Sequence, residues 1–131
     1  MAPPRLEYSS ALETWDTGSL LDALADDALI RVAVHDQPLQ GKDVAEFLFG
    51  ILREELGPIT VTDEVVDGDL AVVLFETSIR GQSTQGLNVL RRDGSGAIQE
   101  LTVFFRPLSA LSLIAEVVGA RMAERFGPPP E

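Results

Sequence analysis

The sequence predicts an α+β domain, and three observations predict it. Helical periodicity opens the chain, short β-like runs divided by turn residues follow, and one more helical stretch comes last, a segregated order unlike the alternation of a parallel sheet. The connections between the β-like runs are only a few residues long, so the runs read as antiparallel hairpins. Several runs are apolar on both parities, as in Leu70-Ala71-Val72-Val73-Leu74-Phe75, and such strands need cover on both faces. The order suggests a curved sheet wrapped around helices, its second face covered either by a second copy of the chain or by the C-terminal helix.

Each element has its own signal. Tyr8, Ala11, Leu12 and Trp15 recur at helical spacing and predict a helix from about Arg5 to Trp15, ended by Asp16-Thr17-Gly18. Ser19 with Asp22 resembles a capping box and opens a short helix through Leu20, Leu21 and Leu24 that ends in Asp26-Asp27. Ala28 to His35 is aliphatic and β-branched, so it reads as the first strand, with a turn at Asp36-Gln37-Pro38. Val44, Phe47, Leu48, Ile51 and Leu52 repeat on one helical face after Gly41, and Gly57-Pro58 ends that helix. Four strands follow, Ile59 to Val66, Leu70 to Arg80, Thr84 to Arg92 and Ala97 to Arg106, with turn residues between them. Pro107 stops the last strand, and Leu111, Ile114, Ala115, Val118 and Met122 mark a C-terminal helix up to Gly127. Residues 1–131 read as one domain, with 127–131 a flexible Pro-rich tail.

Composition narrows the function. The chain has 131 residues, 45% of them hydrophobic, enough for a real core, and 10 Lys+Arg against 21 Asp+Glu give a net charge of -11. Such a charge repels phosphates and anionic lipid, so neither nucleic acid nor a membrane surface is the expected partner. With no cysteine and one histidine, thiolate chemistry and a His-rich metal cluster are excluded, and no metal or cofactor is expected. No apolar leader or membrane span is readable, so a cytoplasmic protein is expected.

The order helix, short helix, Asp-Asp, strand, Pro-x-x-Gly, helix, then four strands resembles the nuclear transport factor 2-like (NTF2-like) superfamily, in its SnoaL-like and ketosteroid-isomerase-like branch. The phrases that carry the resemblance are Trp15-Asp16-Thr17-Gly18-Ser19, Ala25-Asp26-Asp27-Ala28, Pro38-Leu39-Gln40-Gly41-Lys42, Asn88-Val89-Leu90-Arg91-Arg92-Asp93-Gly94 and Gly96-Ala97-Ile98. They are cap, turn and strand-end chemistry, specific to a fold more than to a reaction. The resemblance implies a cone whose concave sheet face and helices enclose a pocket and whose convex face makes a homodimer. It also implies that the general-base aspartate of ketosteroid isomerases falls here on Val32, which cannot move a proton, so that mechanism is excluded. The oxyanion-stabilising acid of that branch falls on Asn88, whose amide still donates a hydrogen bond. Tyr8 lies near the place of the branch's tyrosine, but the first loop here is about a helical turn shorter.

The same comparison points Val32, Val34, Phe75, Thr77, Asn88, Leu90, Leu101, Val103 and Phe105 into the cone, with Trp15 and Leu48 on its helical side. A cavity with those walls suits a small hydrophobic molecule. Asn88 sits between Leu87 and Val89 in an apolar strand, and its amide either meets a ligand or bridges the structure. Asp36 shares the inward parity and is the surviving acid/base candidate; the plainer reading is an Asp opening a turn. His35 titrates near neutrality but its parity points outward. Three functions follow: an isomerase, cyclase or lyase that polarises a carbonyl with Asn88 and moves a proton with Asp36 or His35, a non-catalytic dimeric module that binds a small ligand, or, on the resemblance of fold alone, a protein-transport adaptor.

Overall fold

Tyr8, Ala11 and Leu12 form the buried stripe of α1 (Glu7–Thr14) in a computed structural model that describes residues 6–33 and 36–126. Val34, His35 and the tail 127–131 lie outside the described residues. α1 ends where Trp15 adopts a left-handed backbone (φ 51), which turns the chain into α2 (Thr17–Asp22). Asp16, not Ser19, caps α2: its Oδ1 accepts from the Ser19 N–H at 3.1 Å and its Oδ2 from the Ser19 hydroxyl at 2.8 Å. Ser19 already lies in the first turn, where its own N–H needs an acceptor, and Asp16 stands at the position that supplies one.

The first strand is also corrected. β1 (Leu24–Arg31) contains Asp26-Asp27 and stops at Arg31, whereas local propensity ended a helix at the aspartates and carried the strand to His35. The reason is long-range pairing with β6 (Ile98–Arg106), to which β1 runs parallel. Ile98 N–H donates to Ala23 O at 2.9 Å, Leu24 pairs with Ile98 and Leu29 with Glu100, so β1 bulges out in between. The bulge turns Asp26 and Asp27 to solvent while Ala28 and Ile30 enter the core.

A two-residue β2 (Leu39–Gln40) pairs antiparallel with β1 and leads into α3 (Lys42–Glu55), which buries Leu48, Ile51 and Leu52 of the predicted stripe together with Ala45 and Phe49, while Val44 and Phe47 of that stripe are only half-buried. α3 gives way to an extended Leu56 that bridges Ile79. Gly57 then donates to Ser78 O at 2.9 Å, and a Cβ at Gly57 would collide with Ser78 Oγ, so a side chain there obliges that hydroxyl to turn away. β3 (Thr60–Asp67), β4 (Leu70–Ile79), β5 (Gln82–Arg92) and β6 form the antiparallel run expected from their turns. The sheet has six strands in the order β2-β1-β6-β5-β4-β3.

The helices line one face of this sheet. Ala71, Val73 and Phe75 of β4, Asn88 and Leu90 of β5, and Leu101 and Val103 of β6 alternate onto it and are buried. α4 (Leu108–Phe126) packs there too, with Ile114 and Val118 against Leu48, Leu52, Val103 and Phe105. Of the two covers the sequence allowed for the second face, the C-terminal helix is thus spent on the first. α1 is stapled to edge strand β3 by two carboxylates. Glu64 accepts from the Leu6 N–H at 2.9 Å and from the Ser9 hydroxyl, and Glu13 accepts from the Val61 N–H at 2.8 Å.

Candidate functional site

Asn88 stands mid-strand in β5, paired with Val73 on one side and Val103 on the other, and is 4% exposed. The α1 stripe lays Tyr8 above it, and Asn88 Nδ2 donates to the Tyr8 hydroxyl at 2.8 Å. Burial pushes the Tyr8 phenol above its ordinary value, outweighing the opposing effect of the Asn88 hydrogen bond. The other end of the amide, Asn88 Oδ1, is buried without a hydrogen-bond partner. So is Nε1 of Trp15.

Tyr8, Trp15, Leu48, Phe75, Asn88, Val103 and Phe105 line a common cavity of about 20 Å³, completed by Leu12, Phe49, Leu52, Leu56 and Ile59. Its described lining holds no carboxylate or imidazole. Val32 faces a second cavity of about 20 Å³, under α4, which shares Leu48, Leu52, Val103 and Phe105 with the first. The other candidates separate. Leu101 is fully buried in the core and lines neither cavity, and the Thr77 hydroxyl donates to Gly57 O at 3.0 Å. Asp36 is exposed: β1 stops at Arg31, so the strand alternation that pointed Asp36 inward does not reach it. His35 and Val34, as noted, are not among the described residues. The pairing of Tyr8 with Asn88 was missed. Its signal was a phenol in an otherwise apolar stripe and a strand amide in need of a partner.

Among the described residues these two spaces are far smaller than the open pocket expected in the cone. The rings of Phe75 and Phe105 meet edge to face at 6.1 Å and 80° over Gly86, which pairs with both. A Cβ at Gly86 would stand 2.5 Å from Phe75 Cζ, so glycine is what lets the rings fill the cone. The larger hollow, about 290 Å³, lies where the outward residues Leu74, Leu87 and Phe104 meet Thr62, Glu76, Gln85 and Arg106. Asp63, Leu74, Leu87 and Phe104 form one cross-strand row there, and Val65, Val72, Val89 and Thr102 form the next. Phe104 and Val65 are 51% and 57% exposed. Glu100 on that face lies 3.3 Å from Arg31 and 4.0 Å from Arg91, and Arg106 donates to Gln85.

Among the described residues no group of His, Cys, Asp and Glu is placed to hold a metal, and no helix is long and apolar enough to cross a membrane.

Solved structures share this architecture. A protein with a cystatin-like fold from Silicibacter pomeroyi matches with a TM-score of 0.84 at 16% identity, over 92% of this chain and 86% of that one. A steroid delta-isomerase from Pseudomonas aeruginosa matches at 0.77 and 21% identity, over 96% and 98%. An NTF2-like protein of unknown function from Cytophaga hutchinsonii matches at 0.63 and 14% identity, over 85% and 99%. No protein-family model and no curated protein matches the chain. At these identities the likeness shows the fold, an α+β NTF2-like, cystatin-like cone, and the chemistry must be argued from the site.

Proposed function

We propose that this chain binds a small, neutral, mostly apolar molecule inside the cone, with the ligand's one polar group on Asn88, and that it acts by binding rather than by acid–base turnover. The observation that carries this reading is the unpartnered end of the Asn88 amide, buried in a chamber whose other walls are almost entirely aliphatic and aromatic. A buried amide end without a partner costs about 1 to 3 kcal/mol, which a ligand group returns on binding. Entry requires the walls to part. Displacing Ile114 and Val118 of α4 opens the cavity under that helix, and moving the shared residues Leu48, Leu52, Val103 and Phe105 merges it with the Asn88 cavity.

Trp15 is the single tryptophan and lines the chamber, so its fluorescence reports occupancy. Titration with small neutral cyclic compounds is expected to change the emission saturably. Asn88→Leu, of similar shape, is expected to weaken binding by about tenfold or more. Unchanged emission across such a panel, or an Asn88→Leu variant that binds as well as the parent, would overturn the reading.

A second reading, an isomerase or cyclase, is favoured by the phenol of Tyr8 beside the amide of Asn88, two groups that together can polarise one carbonyl oxygen. The steroid delta-isomerase among the structural neighbours points the same way. Mass spectrometry of the recovered ligand separates the two: a converted molecule supports turnover, and an unchanged one supports binding.

The convex sheet face completes the proposal as the seat of a second copy of this chain. Its apolar rows end in the exposed ring of Phe104, beside a hollow able to receive a ring. Its charges are mixed, Asp63, Asp67, Glu76 and Glu100 against Arg31, Arg91 and Arg106, on a chain of net charge -11, so two such faces meet with less repulsion than the rest of the surface would bring.

A further inference from the structure

The binding reading leaves open whether the ligand's polar group donates or accepts, and the Tyr8–Asn88 pair bears on that choice. A phenol hydroxyl both donates and accepts, and a primary amide has a donor end and an acceptor end of nearly the same shape. As the pair stands, Nδ2 donates to the Tyr8 oxygen at 2.8 Å and Oδ1 is the end without a partner. Half a turn of the amide about its last bond exchanges the two ends. Tyr8 then donates its O–H to Oδ1, and the NH₂ takes the place of the unpartnered oxygen. Either arrangement keeps one hydrogen bond inside the pair. A phenol keeps its hydrogen across the neutral range, and burial of Tyr8 pushes its pKa up further, so the O–H that the second arrangement needs is present. Trp15 Nε1, the other unpartnered polar atom among the lining residues, donates in both. It therefore asks for an oxygen acceptor, which hydroxyl and carbonyl groups both offer. A charged ligand finds no counter-charge on the described walls.

Resting on the binding reading above, the geometry points to a site that takes the hydroxyl and the carbonyl forms of one compact apolar molecule alike, the Asn88 amide turning over against Tyr8 to present its oxygen to the first and its NH₂ to the second. An amide held by a donor-only or acceptor-only neighbour would be locked to one form. Tyr8 removes the lock.

Cyclopentanol and cyclopentanone have the same ring and differ in this one group. Titrated against the wild-type chain with Trp15 emission as the readout, their dissociation constants are expected to agree within about threefold, and Asn88→Leu is expected to weaken both together. The turnover itself is read by NMR on the wild-type protein, which needs no variant to fold. In the alcohol complex the Asn88 Nδ2 protons are expected to show contacts to the Tyr8 ring, and in the ketone complex to the ligand ring instead. A preference of more than about tenfold for one form, or the same Nδ2 contacts in both complexes, overturns the switch and leaves the binding chamber standing. If neither compound nor methylcyclopentane binds, the chamber itself is refuted, and the switch with it.

Discussion

Asn88 and Tyr8 depend on each other more than either depends on its own strand or helix. Tyr8→Phe leaves the Asn88 amide without its one partner in a buried site and is expected to cost about 1 to 3 kcal/mol in urea denaturation. Adding Asn88→Leu removes the stranded amide as well, so the double variant is expected to be less destabilised than the sum of the two single ones; strict additivity would show that the pair is not coupled. Asn88 was legible as a buried polar residue because its neighbours in β5 are apolar and alternation is local. Its partner was not, because Tyr8 lies 80 positions away in the chain and meets it only when α1 settles on the sheet. Gly86 belongs to the same class: nothing in its neighbours announces that two rings, from strands on either side, close over it.

At the scale of elements, the joint between α1 and α2 shows how a cap couples to pH. The Ser19 N–H and then its hydroxyl hold the Asp16 carboxyl below its ordinary value. Asp16 therefore contributes stability that is present above the unfolded carboxylate value and is lost as pH falls through the lower folded one. Between about pH 5 and about pH 2 the thermal midpoint is expected to fall less steeply in Asp16→Asn, which keeps an acceptor oxygen but has no proton to gain. Equal slopes in calorimetry would remove Asp16 from the acid transition. Helix α3 and the hairpins of β3 to β6 were readable because periodicity and turn residues are written within each segment. β1 was not, because its start is set by the parallel pairing with β6, and an exposed bulge at Asp26-Asp27 hides the strand from local propensity.

For the whole molecule, net charge and the convex face act at different ranges. A dimer built on the rows through Val72 and Leu74 has a mass of twice 14.1 kDa, and Phe104→Glu is expected to return it to the monomer in light scattering after size exclusion. Two copies each carrying -11 repel at a distance, so association is expected to strengthen as salt rises from about 0.01 M to about 0.15 M. A monomer at every salt concentration would refute the assigned face. The sequence by itself determined the α+β class, the α3 helix and the antiparallel hairpins, because helical period and turn residues are properties of neighbouring residues. The inward face of Phe75, Asn88, Val103 and Phe105 followed from the family resemblance, β4 being apolar on both parities. Only the tertiary structure decided that β1 runs parallel to β6, that α4 is spent on the concave side, and that the space beside Asn88 among the described residues is about 20 Å³. Those outcomes rest on the fit of distant segments, such as Phe75 against Phe105 and the space that Ile114 and Leu48 line together, which exists only once the chain has closed on itself.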